Sequence, residues 1–153
     1  MSYLTFLSLK MITPKKINKN VWRNTSLLSL IFFSLCCTTH TKQQTIIERV
    51  EVDTFETKLN TLENAFLIDV RTPAEYKSGH IHGATNIDFN QVENMKFTFD
   101  NLDRNQPMLI YCAAGGRSNK TRFLMKEMGF KQIYELSSGL TGWKAAGKAV
   151  SIE

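Results

Sequence analysis

The segment Cys112-Ala113-Ala114-Gly115-Gly116-Arg117-Ser118 brings together residue types that can make a nucleophile. A thiol reacts as its thiolate, so the surroundings of Cys112 in the folded chain decide whether it is reactive. Small residues and two adjacent glycines allow successive backbone N–H groups to turn inward as an anion cradle, and no bulky side chain keeps a ligand off that backbone. A helix beginning near Ser118 adds the positive end of its dipole to the same place. Arg117 contributes a charge that stays protonated. Each of these favours the thiolate. The competing reading is a buried, inert cysteine at a strand end beside a turn. Glycines, an arginine and a helix start directly after Cys112 weigh against it.

Other candidates are weaker. Cys36 and Cys37 lie in an N-terminal segment of different character, which leaves Cys112 as the lone thiol of the remaining chain. It can form no internal disulfide there, and no cysteine cluster suits zinc. His80 and His82 alternate as metal ligands on a strand could, but no third ligand accompanies them, and solvated or capping roles are expected. Asp69 and Arg71 at the end of an apolar run are expected to form a structural ion pair, with Asp69 as support and Arg71 also facing the pocket.

The elements that must position Cys112 follow from the hydrophobic pattern. Residues 65–70 and 107–112 are short continuous apolar runs, as in strands buried on both faces. Residues 50–52 and 133–136 give further strands, and residues 86–87 end another. Helices are expected between them. One carries Phe55, Leu59 and Leu62 behind an Asp53/Glu56 capping-box spacing, and one is opened by Pro73. One follows an Asp88/Gln91 spacing of the same kind. Another spans 118–128 with Phe123, Leu124 and Met128 inward, and the last spans 140–146. Strands alternating with helices imply an α/β fold in three layers: a mostly parallel central sheet with helices on both faces. In such sheets the functional crevice lies at the carboxyl ends of the strands, where Cys112 sits.

Charge separates this domain from what precedes it. The 153-residue chain, long enough for one domain, carries a formal charge of +5. Residues 1–37 hold Lys10, Lys15, Lys16, Lys19 and Arg23 and no acid, so the remainder has 14 basic and 14 acidic residues. A neutral domain offers no electrostatic footprint for nucleic acid. The basic stretch is followed by an apolar run from Leu27 to Leu35 that ends at Cys36-Cys37. As a helix the 11 residues from Leu27 to Cys37 reach about 16 Å, well short of the ~30 Å hydrocarbon core of a bilayer. The run therefore reads as the apolar part of an export signal rather than a retained anchor or an organellar transit peptide. The signal resembles that of a bacterial lipoprotein, with Cys37 favoured over Cys36 as the lipidated residue and Met11 a candidate start beside Met1. The expected organisation is a signal over 1–37, a polar tether over 38–49 and the folded domain over 50–153. The expected location is the periplasm or a membrane surface, with membrane contact only through the signal or the lipid.

Three ordered signatures in the domain resemble the rhodanese family. The first is the loop from Cys112 to Arg117, five positions on. The second is the series Asp69-Val70-Arg71, Glu75-Tyr76, Gly79-His80-Ile81 and Gly83-Ala84-Thr85-Asn86. The third is Ser138-Gly139-Leu140-Thr141-Gly142-Trp143, where serine stands in place of the family's first glycine. The resemblance covers roughly residues 50–150. It implies a sulfurtransferase that takes sulfane sulfur from thiosulfate or a persulfide donor, carries it as a persulfide on Cys112, and passes it to a thiol or to cyanide. It also implies that backbone N–H groups from Ala113, Ala114, Gly115, Gly116, Arg117 and Ser118 stabilise the persulfide, with Arg117 at the anion-binding rim. No metal or organic cofactor is required. The alternatives are a non-catalytic binding module of the same fold and a cysteine-dependent phosphatase or arsenate reductase. The related dual-specificity phosphatases carry one more residue between cysteine and arginine.

Overall fold

A computed structural model describes residues 44–152. The leader, its two cysteines and residues 38–43 of the expected tether lie outside the described residues.

Five strands form one sheet: β1 (Ile46–Val50), β2 (Phe66–Asp69), β3 (Thr85–Asn86), β4 (Met108–Tyr111) and β5 (Gln132–Leu136). Their spatial order is β1-β5-β4-β2-β3 and every pairing is parallel. The helices are α1 (Val52–Thr61), α2 (Pro73–Lys77), α3 (Val92–Asp100), α4 (Gly116–Glu127) and α5 (Gly139–Ala145).

Side-chain alternation along β4 divides the interior in two. Leu109 and Tyr111 join Phe55 of α1 and Leu140 and Trp143 of α5 in one cluster. Met108, Ile110 and Cys112 join Met95 and Phe99 of α3 and Met125 of α4 in the other. A strand with a core on each face has no polar side to show, which explains why residues 107–112 carry an unbroken apolar run. The three-layer α/β arrangement expected from the sequence is the one observed. Trp143 is core, as its type suggests, with its ring edge-on to Phe55 and its indole N–H donated to the Ala149 carbonyl at 2.9 Å.

Several local expectations are corrected. Strand β1 begins four residues before the expected 50–52 and takes in part of the expected tether. It is an edge strand paired only with β5, so Glu48 and Arg49 stay in water and break the apolar pattern that would have revealed it. The Asp53/Glu56 spacing caps nothing, because α1 already starts at Val52 behind Glu51. Both carboxylates instead face Lys148, at 3.7 and 2.5 Å. Asp88 makes a turn, accepting the Asn90 N–H at 2.9 Å, and α3 begins only after Gln91. The true capping box is at Thr72 and Glu75, in front of Pro73. The inner face of α4 is Ser118, Thr121 and Met125, with Leu124 and Met128 partly buried, while Phe123 turns out to solvent beneath Arg122. His80 is buried and takes the capping rather than the solvated role, with Nδ1 3.1 Å from the Tyr76 carbonyl in the last turn of α2 and its ring stacked on Tyr76 at 3.8 Å. His82 is exposed, as expected, with Nδ1 3.2 Å from the Ser151 hydroxyl.

Candidate active site

Strand β4 delivers Cys112 to the carboxyl edge of the sheet, and the chain then turns through Ala113 to Gly115 into α4. Two glycines shape that turn. Gly115, just ahead of α4, has φ +84, and a Cβ there would lie 2.1 Å from the Ser137 carbonyl oxygen. Gly139, at the start of α5, has φ +57, and a Cβ there would lie 2.5 Å from the Cys112 carbonyl oxygen. That close approach has a purpose in the hydrogen bonding. Leu140 donates its N–H to the Cys112 carbonyl at 2.8 Å, and Thr141 donates to that of Ala113 at 2.9 Å. With those carbonyls held outward, the following N–H groups are free to turn toward the sulfur.

The electrostatics agree with this geometry. Burial pushes the Cys112 thiol up, but the Ser118 hydroxyl and the backbone N–H groups of Ser118, Ala114 and Arg117 outweigh it. The thiol is held below its ordinary value. Cys112 is only 2 % exposed, Ser118 is fully buried, and Ala114 and Gly116 lie at the outer surface of the loop. The arrangement favours the thiolate and turns the N–H groups of Ala114, Arg117 and Ser118 toward it, suited to attack on an electrophilic sulfur and to holding an anion afterwards.

The remaining expected residues fall in two places. Arg117 stands over the loop but is clamped from α2. Its Nη1 and Nη2 donate to the two carboxylate oxygens of Glu75 at 2.7 and 2.6 Å. The same pair holds the Glu75 carboxyl down to about 2 and raises Arg117. Asp69 and Arg71 form the structural pair that was expected, buried at the end of β2. The Arg71 guanidinium donates to both Asp69 oxygens and to the Gly79 carbonyl, while Asn86 ties down the carbonyls of Asp69 and Arg71. They brace the edge of the site.

Two residues with functional partners, Glu75 and Glu135, have no role in the sequence analysis. Glu75 was visible only as a member of a series, though its place three residues after Thr72 signals a cap. Glu135 is a carboxylate in the middle of a buried strand, a position that demands partners. It accepts from the Ser118 hydroxyl at 2.6 Å and from Nε of Arg49 at 2.6 Å. Ser118 Oγ also lies 3.4 Å from Cys112 Sγ. Ser138, the departure from the family's glycine, has φ −94, a conformation open to any residue. Its buried hydroxyl has no hydrogen-bond partner among the described residues.

Comparison with known proteins gives a consistent picture. A family model described as rhodanese-like domain matches residues 51–146. The thiosulfate sulfurtransferase GlpE of Pseudomonas entomophila is 31 % identical over 83 residues, covering 54 % of this chain and 73 % of that protein. YrkF of Bacillus subtilis is 30 % identical over 97 residues, 63 % of this chain. The chain spans about half the length of YrkF, at 51 %. The crystal structure of a rhodanese-related protein from Thermoplasma volcanium superposes with a TM-score of 0.60 at 22 % identity, covering 69 % of this chain and 99 % of that one. With the family model covering most of the chain and the same three-layer fold, the chain belongs to the rhodanese-like domain family.

Proposed function

We propose that this protein is a sulfurtransferase that carries sulfur on Cys112. The observation that carries the reading is the buried Cys112 sulfur, held below its ordinary pKa inside a loop whose N–H groups converge on it. In the first step the Cys112 thiolate attacks the sulfane sulfur of thiosulfate. A Cys112 S–S bond forms, the donor's S–S bond breaks, and its electron pair leaves with sulfite. In the second step a thiolate or cyanide takes the outer sulfur, and the electron pair of the broken bond returns to Cys112. Negative charge sits within the loop in both steps, and the fixed N–H groups stabilise it without reorganising. The test is mass spectrometry of the purified protein after thiosulfate treatment. One added sulfur on Cys112, removed by cyanide, is the expected result; an unmodified Cys112 would favour a binding module.

Arg117 is proposed to attract anionic donors. Arg117→Ala should lower kcat/KM for thiosulfate by roughly 10- to 150-fold, as for loss of a hydrogen bond to a charged group, and should spare an uncharged donor. Part of that loss comes from Glu75, left facing the loop without its partner. Adding Glu75→Gln to Arg117→Ala should therefore recover some activity, and equal losses for both donor types would make Arg117 purely structural. Because the Glu75 carboxyl is lowered from 4.5 to about 2, the stability its ion pair contributes is present above about pH 4.5. It is lost as the pH falls toward 2.

Export and lipidation are a further part of this proposal, resting on the basic stretch, the short apolar run and the cysteines that end it. Among the described residues, no helix is long and apolar enough to cross a membrane. Intact-mass analysis from the native membrane should show a chain beginning at Cys37, or else Cys36, with added lipid. A soluble, unmodified chain beginning near Thr38 would replace lipidation with simple secretion.

A further inference from the structure

A serine hydroxyl has one proton to give, and Ser118 has two acceptors for it. Cys112 Sγ lies 3.4 Å from Ser118 Oγ, and Glu135 Oε1 lies 2.6 Å from it. The shorter bond, made to a carboxylate, is the stronger. Glu135 is fully buried on β5, and Nε of Arg49 on β1 donates to its other oxygen at 2.6 Å. This leaves Oε1 to Ser118, itself fully buried at the start of α4. Glu135 and Cys112 therefore compete for the one Ser118 proton, and the bond to the sulfur is the longer and weaker of the two.

We propose that Glu135 is a positioning residue for the sulfur chemistry: by drawing the Ser118 proton toward itself it weakens the hydroxyl's bond to Cys112 and keeps the thiolate more basic than an uncommitted serine would make it. The chemical benefit concerns nucleophilicity. A thiolate stabilised too far is abundant but sluggish, and attack on a sulfur–sulfur bond is fastest when the thiol titrates near the ambient pH. The Ser118 hydroxyl and the N–H groups of Ser118, Ala114 and Arg117 push toward ionisation, and the carboxylate behind Ser118 opposes the first of these. The other charged or titratable groups around the sulfur are already paired. They are Arg117 with Glu75 from α4 and α2, and Asp69 with Arg71 at the end of β2.

The inference deepens the proposed function and rests on Cys112 being the nucleophile. Its test reads ionisation of the thiol whether or not the protein transfers sulfur, so the two readings fail separately. The full chain is alkylated with iodoacetamide across a pH series and labelling is followed on the Cys112 peptide, which excludes Cys36 and Cys37. In Glu135→Gln the Arg49 donor fixes the amide, with its oxygen toward Arg49 and its NH2 toward Ser118. The serine proton is then released to the sulfur. The midpoint should fall by roughly one pH unit, about a ten-fold change in thiolate below it. Per thiolate, the alkylation rate at high pH should also fall. The shift should shrink when Ser118→Ala is added. Ser118→Ala alone is a small change expected to fold whatever Glu135→Gln does, and it should raise the midpoint, because the hydroxyl's remaining bond to the sulfur is lost. An unchanged or raised midpoint in Glu135→Gln overturns the proposal. So does an undiminished shift in the double variant.

Discussion

Cys112→Ser should abolish thiosulfate:cyanide sulfur transfer, by more than about 10³-fold, and leave the fold in place. The two halves of this expectation come from different features of the same site. Activity goes because a hydroxyl in place of the thiol cannot form the persulfide that links donor to acceptor. The fold stays because serine is nearly the same size, and Ser118 Oγ is beside the position to pair with the new hydroxyl. The change in unfolding free energy should stay within about 1 kcal/mol, as for small substitutions that leave packing intact. Turnover assays and thermal unfolding on the same preparation check both halves. Substantial residual turnover in the pure variant would remove Cys112 from its role, whereas a collapsed fold would leave the loss of activity uninterpretable and return the cysteine to the core.

The second large effect is expected far from any reactive group in the sequence. Gly139→Ala should destabilise the domain by about 2–4 kcal/mol, combining the 1–2 kcal/mol of left-handed backbone with a steric clash. Sulfur transfer should fall by at least ten-fold in the fraction that folds. The added methyl would sit 2.5 Å from the Cys112 carbonyl and 2.6 Å from the carbonyl carbon of Ala113. Relief requires α5 to retreat from the loop, which breaks the bonds from Leu140 and Thr141 and frees the two carbonyls to turn inward. Gly147→Ala is the control. That glycine also has positive φ, +74, but a Cβ there meets nothing within 4 Å. It should lose stability through backbone strain alone and keep full activity per folded molecule. If both variants lose activity equally, the packing of α5 against the loop does not shape the site.

The parts of this protein that the sequence discloses are those with one dominant cause. The runs at 65–70 and 107–112 are apolar throughout because both faces of the sheet are covered, and Cys112 is legible because glycines, an arginine and a helix start follow it directly. Strand β1 was obscured because, at an edge, Glu48 and Arg49 interrupt the pattern while the backbone still pairs with β5. The capping box at Thr72 was overlooked because Pro73 alone accounted for a helix start, and two false boxes had the right spacing without the right junction. The network through Glu135 could not be read at all. It joins Arg49, Cys112, Ser118 and Glu135, whose closeness depends on β1, β4 and β5 lying side by side. What the sequence does show there is a carboxylate in an apolar strand, a local conflict that calls for a partner without naming one.

The burial of Cys112 bears on how the protein would guard its cargo. An unloaded sulfur that is almost wholly covered is hard for oxidants and bulky electrophiles to reach, so the resting protein is chemically sheltered. Taking on sulfur would extend the reactive end outward by about 2 Å, the length of one S–S bond. The transferable atom then stands nearer the mouth of the loop while Cys112 stays behind it. An acceptor would collect sulfur at the threshold without ever entering, which allows acceptors too large to enter the loop. The loaded protein would be the vulnerable one, and its lifetime would depend on how quickly an acceptor arrives.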